Sequence, residues 1–286
     1  MKESRPDTQN RLPSFLGRGA WSVMGILNVT PDSFHDQGRY GQFYAAVERA
    51  RQMVAEGAAI VDVGGESTRP GSEPVSLEEE LARVIPVIEA IVPEIDAPVS
   101  VDTSKAEVAR AALAAGAKII NDVTALRGDA EMASVAAEAA CPVCLMHMLG
   151  EPRTMQVEPH YADVVKDIKN FFRERIDYSE AQGIQRQNLI LDPGIGFGKT
   201  LEHNLELLRR LGEFLDLGLP LMIGASRKRF IGMVAGEEDT EGRLPGTLAV
   251  NVTAFINGAG IFRVHDVAEN VQALRVAAAI SGETSG

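Results

Sequence analysis

Cysteine is nearly missing from this sequence: 286 residues contain two, Cys141 and Cys144. That is too few for a disulfide framework, and the cytoplasm is the default setting. Their C-x-x-C spacing has no second pair to complete a tetrahedral zinc site. It lies in "CPVCLMH", which reads as a strand, where residues three apart face opposite sides. Core packing is the favoured reading. Long apolar runs are also missing, since nothing approaches the roughly 18 residues of a membrane helix. The first twenty residues, "MKESRPDTQNRLPSFLGRGA", hold no continuous apolar segment of the kind an export signal needs. Basic residues are scarce: 28 Lys and Arg stand against 40 Asp and Glu, a formal charge of −12. Such a surface repels phosphate backbones and argues against nucleic acid as a partner. Any anionic ligand has to be met by a local basic cluster. The histidines, His35, His147, His160, His203 and His265, show no H-E-x-x-H or H-x-H spacing, so a histidine-bound catalytic metal is not indicated.

What is present is a repeat. Eight short apolar runs recur along the chain: "WSVMGIL", "AAIVDV", "APVSV", "AKIIN", "CPVCLMH", "NLILD", "LPLMIGA" and "AGIFRV". Between them lie longer stretches with helical spacing, such as "SLEEELARVIPVIEAIV" and "YADVVKDIKNFFRERIDYSEAQG". Several end in glycine just before the next run, as in "AEGAAI", "AAGAKII" and "NGAGIF", the mark of a helix C-cap. Strands alternating with helices imply parallel strands joined by right-handed crossovers, and eight units without a composition break predict a single-domain (β/α)8 TIM barrel. Residues 20–281 form that domain, with polar tails at 1–19 and 282–286. An open doubly wound sheet is the alternative, but the first turn, "GILNVTPDSF", lacks the G-x-G-x-x-G fingerprint. The stretch "GIGFGKT" at 194–200 fails the spacing of a phosphate-binding P-loop and reads as a tight turn between strand and helix.

A barrel of this kind places its active site at the C-terminal strand ends. Here those ends carry Asn28; Gly64, Gly65 and Glu66; Asp102; Asn121 and Asp122; His147; Asp192; Ser226, Arg227 and Lys228; and Arg263 with His265. Any one is explicable as a turn or cap residue; together they predict one shared pocket. The basic residues gather after strands seven and eight, the usual phosphate site of a barrel. Arg263 and His265 are two apart, hence on one strand face, and can hold one anion together. For Arg227 and Arg229, salt bridges to the acidic stretch "GEEDTE" at 236–241 are an equal alternative. Asp102 and Asp192 end strongly apolar runs, where a carboxylate needs donors such as the adjacent N–H groups of an amino-pyrimidinone edge. An acid/base pair, or for Asp102 a helix cap in "DTSKAEV", is the competing reading. Magnesium shared with a diphosphate needs only one or two protein oxygens, which the Asn28 amide can contribute.

The stretches "MGILNVTPDSFHDQGRY", "DVGGESTRPGS", "VSVDTSKAEVA", "INDVTAL", "MHMLGEPRTMQ", "LILDPGIGFGKTLEHN", "SRKRFIG" and "FRVHDV" closely resemble, in order from residue 24 to 267, those of the dihydropteroate synthase family. The resemblance implies a transferase of folate synthesis that joins 6-hydroxymethyl-7,8-dihydropterin diphosphate to 4-aminobenzoate. It implies Asp102, Asn121, Met146, Asp192 and Lys228 around the pterin, and Thr68, Arg263 and His265 at the diphosphate. Phe34, Thr68, Arg69 and Ser226 fall to 4-aminobenzoate and the two closing loops, and Asn28 to Mg2+. Asp102 is the first candidate to stabilise a developing methylene cation, Asp36 the loop-borne second, and Lys228 shares the catalytic group. The family also implies a homodimer and sulfonamide sensitivity. Leu149 departs from the glutamine usual in the family. Rival readings are a methyltetrahydrofolate-binding methyltransferase, which needs no Arg-x-His clamp, a non-catalytic pterin-binding module, and a Schiff-base aldolase using Lys228.

Overall fold

A computed structural model describes residues 21–30, 38–67, 71–150 and 155–282. Eight parallel strands form one sheet in the order β6-β5-β4-β3-β2-β1-β8-β7, and a parallel bridge between Leu191 and Leu221 joins its two ends. The strands are β1 (Ser22–Asn28), β2 (Ile60–Gly64), β3 (Val99–Asp102), β4 (Ile119–Asp122), β5 (Val143–Met146), β6 (Leu189–Asp192), β7 (Met222–Ile223) and β8 (Ile261–Val264). Each of the eight runs read from the sequence holds one of them. β7 is much shorter than its apolar run, because "LPLMIGA" has Pro220, which lacks an N–H, and Gly224 close to both ends.

The helices are α1 (Gly38–Ala55), α2 (Leu77–Ile91), α3 (Ala106–Ala114), α4 (Met132–Ala139), α5 (Val164–Ala181), α6 (Leu201–Arg209), α7 (Arg229–Ala235), α8 (Leu244–Ile256) and α9 (Val267–Ser281). Local chemistry starts and stops them. Ser76 caps α2 and Asp163 caps α5 through side-chain oxygens, and Thr200 with His203 makes a reciprocal capping box on α6. The C-cap glycines anticipated in the sequence, Gly57, Gly116 and Gly258, all have positive φ, the left-handed conformation that terminates a helix.

Side-chain alternation divides each strand between two environments. Outward residues such as Val61, Val63, Val101, Ile120, Val143, Leu145 and Leu191 join the helices in the main core. Inward residues at the lower level, Met24, Ile60, Ile119, Cys144, Ile190, Met222 and Ile261, form a separate apolar plug inside the barrel. The two cysteines divide as the strand reading requires, Cys141 in the outer core and Cys144 in the plug, both buried thiols.

Candidate active site

Two residues further along the same inward faces, the chemistry changes. Asp62, Ser100, Asp102, Asn121 and Asp192 are each at most 8% exposed, deep in a barrel whose next layer down is hydrocarbon. Strand pairing sets Asp62 opposite Ser100, Gly64 opposite Asp102, Asp102 opposite Asn121, and Met146 opposite Asp192.

Arg263 organises this layer. Its Nε donates to Asp62 Oδ2 at 2.7 Å and its Nη2 to Asp102 Oδ2 at 2.6 Å. Asn121 Nδ2 donates to the same Asp62 oxygen at 3.0 Å, which turns the Asn121 carbonyl oxygen away as an acceptor. Asp62 was not among the residues singled out from the sequence, yet it anchors both. It sits as the one charged letter inside the run "AAIVDV", and an aspartate in a central parallel strand is itself a signal. Asp62 Oδ1 and the neighbouring Ser100 Oγ are buried without a protein partner, so the layer still has acceptor capacity for a donor-rich ligand or water.

Three inward carboxylates, Asp62, Asp102 and Asp192, face two cations, Arg263 and Lys228. Burial raises the Asp102 carboxyl above the usual range, and the charges of Asp62, Glu80 and Asp122 add to this against the pull of Arg263. Burial likewise raises Asp192, opposed by Lys228 and by the Gly194 N–H, which donates to Asp192 Oδ1 at 2.7 Å. Lys228 is lowered to about 8 by burial, with Asp192 restraining the fall. Burial also weakens the Arg263 cation, but Asp62 and Asp102 overcome it and hold the guanidinium more firmly protonated than usual.

Around this layer stand the remaining strand-end residues. Asn28 shares the inward parity of Met24 at the upper end of β1, beside Gly64. Met146 packs with Val123, Met148, Met155 and Phe197 in a small sulfur-rich apolar wall. Ser226 Oγ accepts from the His265 N–H at 3.2 Å and lies 2.9 Å from His265 Nδ1. Lys228 Nζ donates to Ile195 O and lies 4.4 Å from the centre of the Phe197 ring.

Three expectations need correction. His147 does not join the pocket: Met146 takes the inward parity, and the buried imidazole turns outward to Lys199 Nζ and the Phe171 ring. Asp122 also turns away, accepting from Thr124 N, Thr124 Oγ1 and Leu126 N to fold the loop after β4. Asp102 is no helix cap, because the α3 terminus takes its acceptor from Asp129, to which Ala106 N donates at 2.9 Å. Arg227 resolves to the salt-bridge alternative, paired with Asp266 and Glu241, and Arg229 is exposed. Phe34, Asp36, Thr68 and Arg69 lie outside the described residues. The base of the loop that carries Thr68 and Arg69 is held by Lys105, whose Nζ bonds both Glu66 and the buried Glu80 at 2.5 Å, and by Arg83, which donates to Gly65 O at 2.7 Å. Sequence reading missed this network because its members are scattered over α2 and the loops after β2 and β3.

Among the described residues no group of three or more His, Cys, Asp and Glu side chains is set to hold a metal ion. The Asn28 amide fits a different donor set, one in which a hard cation takes most of its oxygens from a ligand's phosphates and water.

Comparison with known proteins agrees with this geometry. The sequence profile described as "Pterin binding enzyme" matches residues 24–265. A dihydropteroate synthase of Escherichia coli strain K12 is 53% identical over 254 residues, 89% of each chain. Among solved structures, the Xanthomonas albilineans dihydropteroate synthase with 4-aminobenzoic acid superposes with a TM-score of 0.88 at 48% identity, covering 93% of this chain and 94% of that one. The Yersinia pestis dihydropteroate synthase in complex with a sulfonamide drug gives 0.88 at 46% identity, covering 93% and 96%.

Proposed function

This chain belongs to the pterin binding enzyme family, and from that membership we propose how its residues do the family's work. The chain is a transferase that condenses 6-hydroxymethyl-7,8-dihydropterin diphosphate with 4-aminobenzoate, releasing diphosphate and 7,8-dihydropteroate. The observation that carries the residue assignment is the Asp62–Arg263–Asp102 chain, an arginine on β8 fixed between two buried carboxylates, with His265 directly after the strand.

The flat pterin lies against Met146 with its N–H groups on Asp102, Asp192 and the Asn121 amide, and Lys228 donates to a ring acceptor. Three carboxylates against two cations suit such a ligand, because several donors spread over the acidic groups replace the water they have lost. Arg263 spends Nε and Nη2 on carboxylates and keeps Nη1 for the diphosphate, which His265 shares. The methylene C–O bond breaks with its electron pair leaving on the diphosphate. The resulting cation is stabilised by the pterin ring and by the Asp102 charge nearby. The 4-aminobenzoate nitrogen then forms the C–N bond and releases one proton to solvent. Phe34, Thr68, Arg69 and Ser226 are assigned to that second substrate, Thr68 to the diphosphate as well, and Asp36 to the cation as its second stabiliser. Asn28 would hold Mg2+ through its amide oxygen, and the ion would supply charge neutralisation for the leaving group.

Sulfonamides compete for the 4-aminobenzoate position, a reading supported by the sulfonamide complex of the Yersinia pestis relative. The working form is a homodimer joined through α7, α8 and α9. In support, α8 ("LPGTLAVNVTAFI") carries no charge, and Met233, Val234, Ile256, Val276 and Ile280 are all more than half exposed on these neighbouring helices. The setting is cytoplasmic, in keeping with the two buried free thiols; among the described residues no helix is long and apolar enough to cross a membrane.

The test is to incubate the protein with both substrates and magnesium and follow diphosphate and dihydropteroate together. Equal amounts of the two are expected, and chelation of magnesium should slow both. Diphosphate without pteroate would mean hydrolysis and contradict the mechanism.

A further inference from the structure

Four consecutive backbone carbonyls after β6 each accept a hydrogen bond from a different side chain. Ile195 O accepts from Lys228 Nζ, Gly196 O from Gln156 Nε2 at 2.5 Å, Phe197 O from Lys199 Nζ at 2.9 Å, and Gly198 O from the Tyr161 hydroxyl at 2.8 Å. A surface loop ordinarily leaves such carbonyls to water. The geometry depends on Gly194, Gly196 and Gly198, all at positive φ, which swing successive peptides toward these donors. The segment is also pressed against the chain after β5: a Cβ on Gly194 would lie 1.9 Å from His147 O.

Lys199 is the deepest of the four donors, 3% exposed. Besides Phe197 O, its Nζ lies 3.1 Å from His147 Nδ1 and 3.4 Å from His147 O. All three partners are neutral acceptors. Burial, aided by the Lys199 charge, lowers the His147 imidazole to about 2, so the ring is neutral beside the lysine. Burial pushes the Lys199 ammonium well below the ordinary lysine range, against the pull of Asp192, and a buried lysine that bonds no carboxylate is poorer for stability than an apolar side chain of the same length. Its presence therefore calls for a role beyond packing. The loop it holds in turn holds Lys228, through the Ile195 carbonyl and the Phe197 ring. Gly196 makes room for the Lys228 chain, since a Cβ there would stand 3.1 Å from Lys228 Cδ.

We propose that Lys199 is a positioning residue that locks the 195–198 carbonyls to the end of β5 and thereby fixes Lys228 for the pterin. Lys199 itself touches no substrate; it acts through the loop. The inference rests on Lys228 as a pterin-site residue, as proposed above.

A double-mutant cycle tests it. The affinity of the full chain for 6-hydroxymethyl-7,8-dihydropterin diphosphate, without 4-aminobenzoate, is measured by calorimetry for the parent, Lys199→Met, Lys228→Met and the double variant. Each single change should weaken binding on the order of tenfold, and the double variant should bind within about twofold of Lys228→Met alone, because the two residues act as one unit. Losses that multiply, or a Lys199→Met protein that binds like the parent, overturn the proposal while leaving the pterin site intact. A Lys228→Met protein with unchanged affinity removes Lys228 from the site and the inference with it. Should Lys199→Met fail to fold, Tyr161→Phe, which removes only the donor to Gly198 O, replaces it in the same cycle. A smaller, again non-additive loss is then expected, and an additive loss or none overturns the proposal.

Discussion

The lower and upper levels of the barrel interior are built from the same strands and differ in almost everything else. Below, Met24, Ile60, Ile119, Cys144, Ile190, Met222 and Ile261 make a dry plug. Two residues further along β2, β4, β6 and β8 stand Asp62, Asn121, Asp192 and Arg263. The lower level gains from burial, and the upper one costs desolvation that only ion pairs, hydrogen bonds and a ligand offset. Stability and chemistry are thus separated along the barrel axis, which allows each to be removed without the other.

The largest effect belongs above. Asp102→Asn keeps the shape but leaves Arg263 with one charged partner and removes the first charge assigned to the methylene cation. Turnover should fall on the order of 10²–10³-fold, as when one electrostatic stabiliser of a transition state is removed, while thermal unfolding shifts little. If turnover falls only as far as stability does, the separation of levels is wrong. The counterpart below is Ile119→Ala, in a position 1% exposed. It should cost about 2–5 kcal/mol in urea unfolding by leaving a cavity, with Michaelis constants for both substrates unchanged. A smaller effect sharpens the comparison by pH. Lys228 holds a proton up to about 8, so kcat/KM for the pterin diphosphate should decline above that pH, and Lys228→Met should erase the decline. Between about pH 8 and the ordinary lysine range the unfolded chain keeps a proton that the folded chain has released, so this group makes folding stability rise with pH in that window.

The upper level also shows what a sequence displays and what it hides. Short apolar runs between helical stretches were enough for the barrel, because strand–helix alternation and the βαβ crossover leave few other arrangements. Strand-end position pointed to Asp102, Asn121, Asp192 and Arg263, since the last inward residue of each strand meets the pocket, and to Lys228 and His265 just beyond β7 and β8; Met146 came from the family resemblance. His147 fails for the same reason: Cys144 and Met146 claim the inward parity of β5, so the next residue must turn out. Asp62 was hidden inside an apolar run and Lys199 inside a turn. Their partners are distant in sequence, 201 residues for Asp62 with Arg263 and 52 for Lys199 with His147, and side-chain pairing at that range follows only from strand stagger.

The central claim is that Arg263 meets the departing diphosphate while the carboxylates grip the heterocycle. Calorimetric affinities of the Arg263→Ala variant for 6-hydroxymethyl-7,8-dihydropterin diphosphate and for the corresponding diphosphate-free alcohol test it most directly. A much greater loss for the diphosphate than for the alcohol is predicted; equal losses would contradict the assignment.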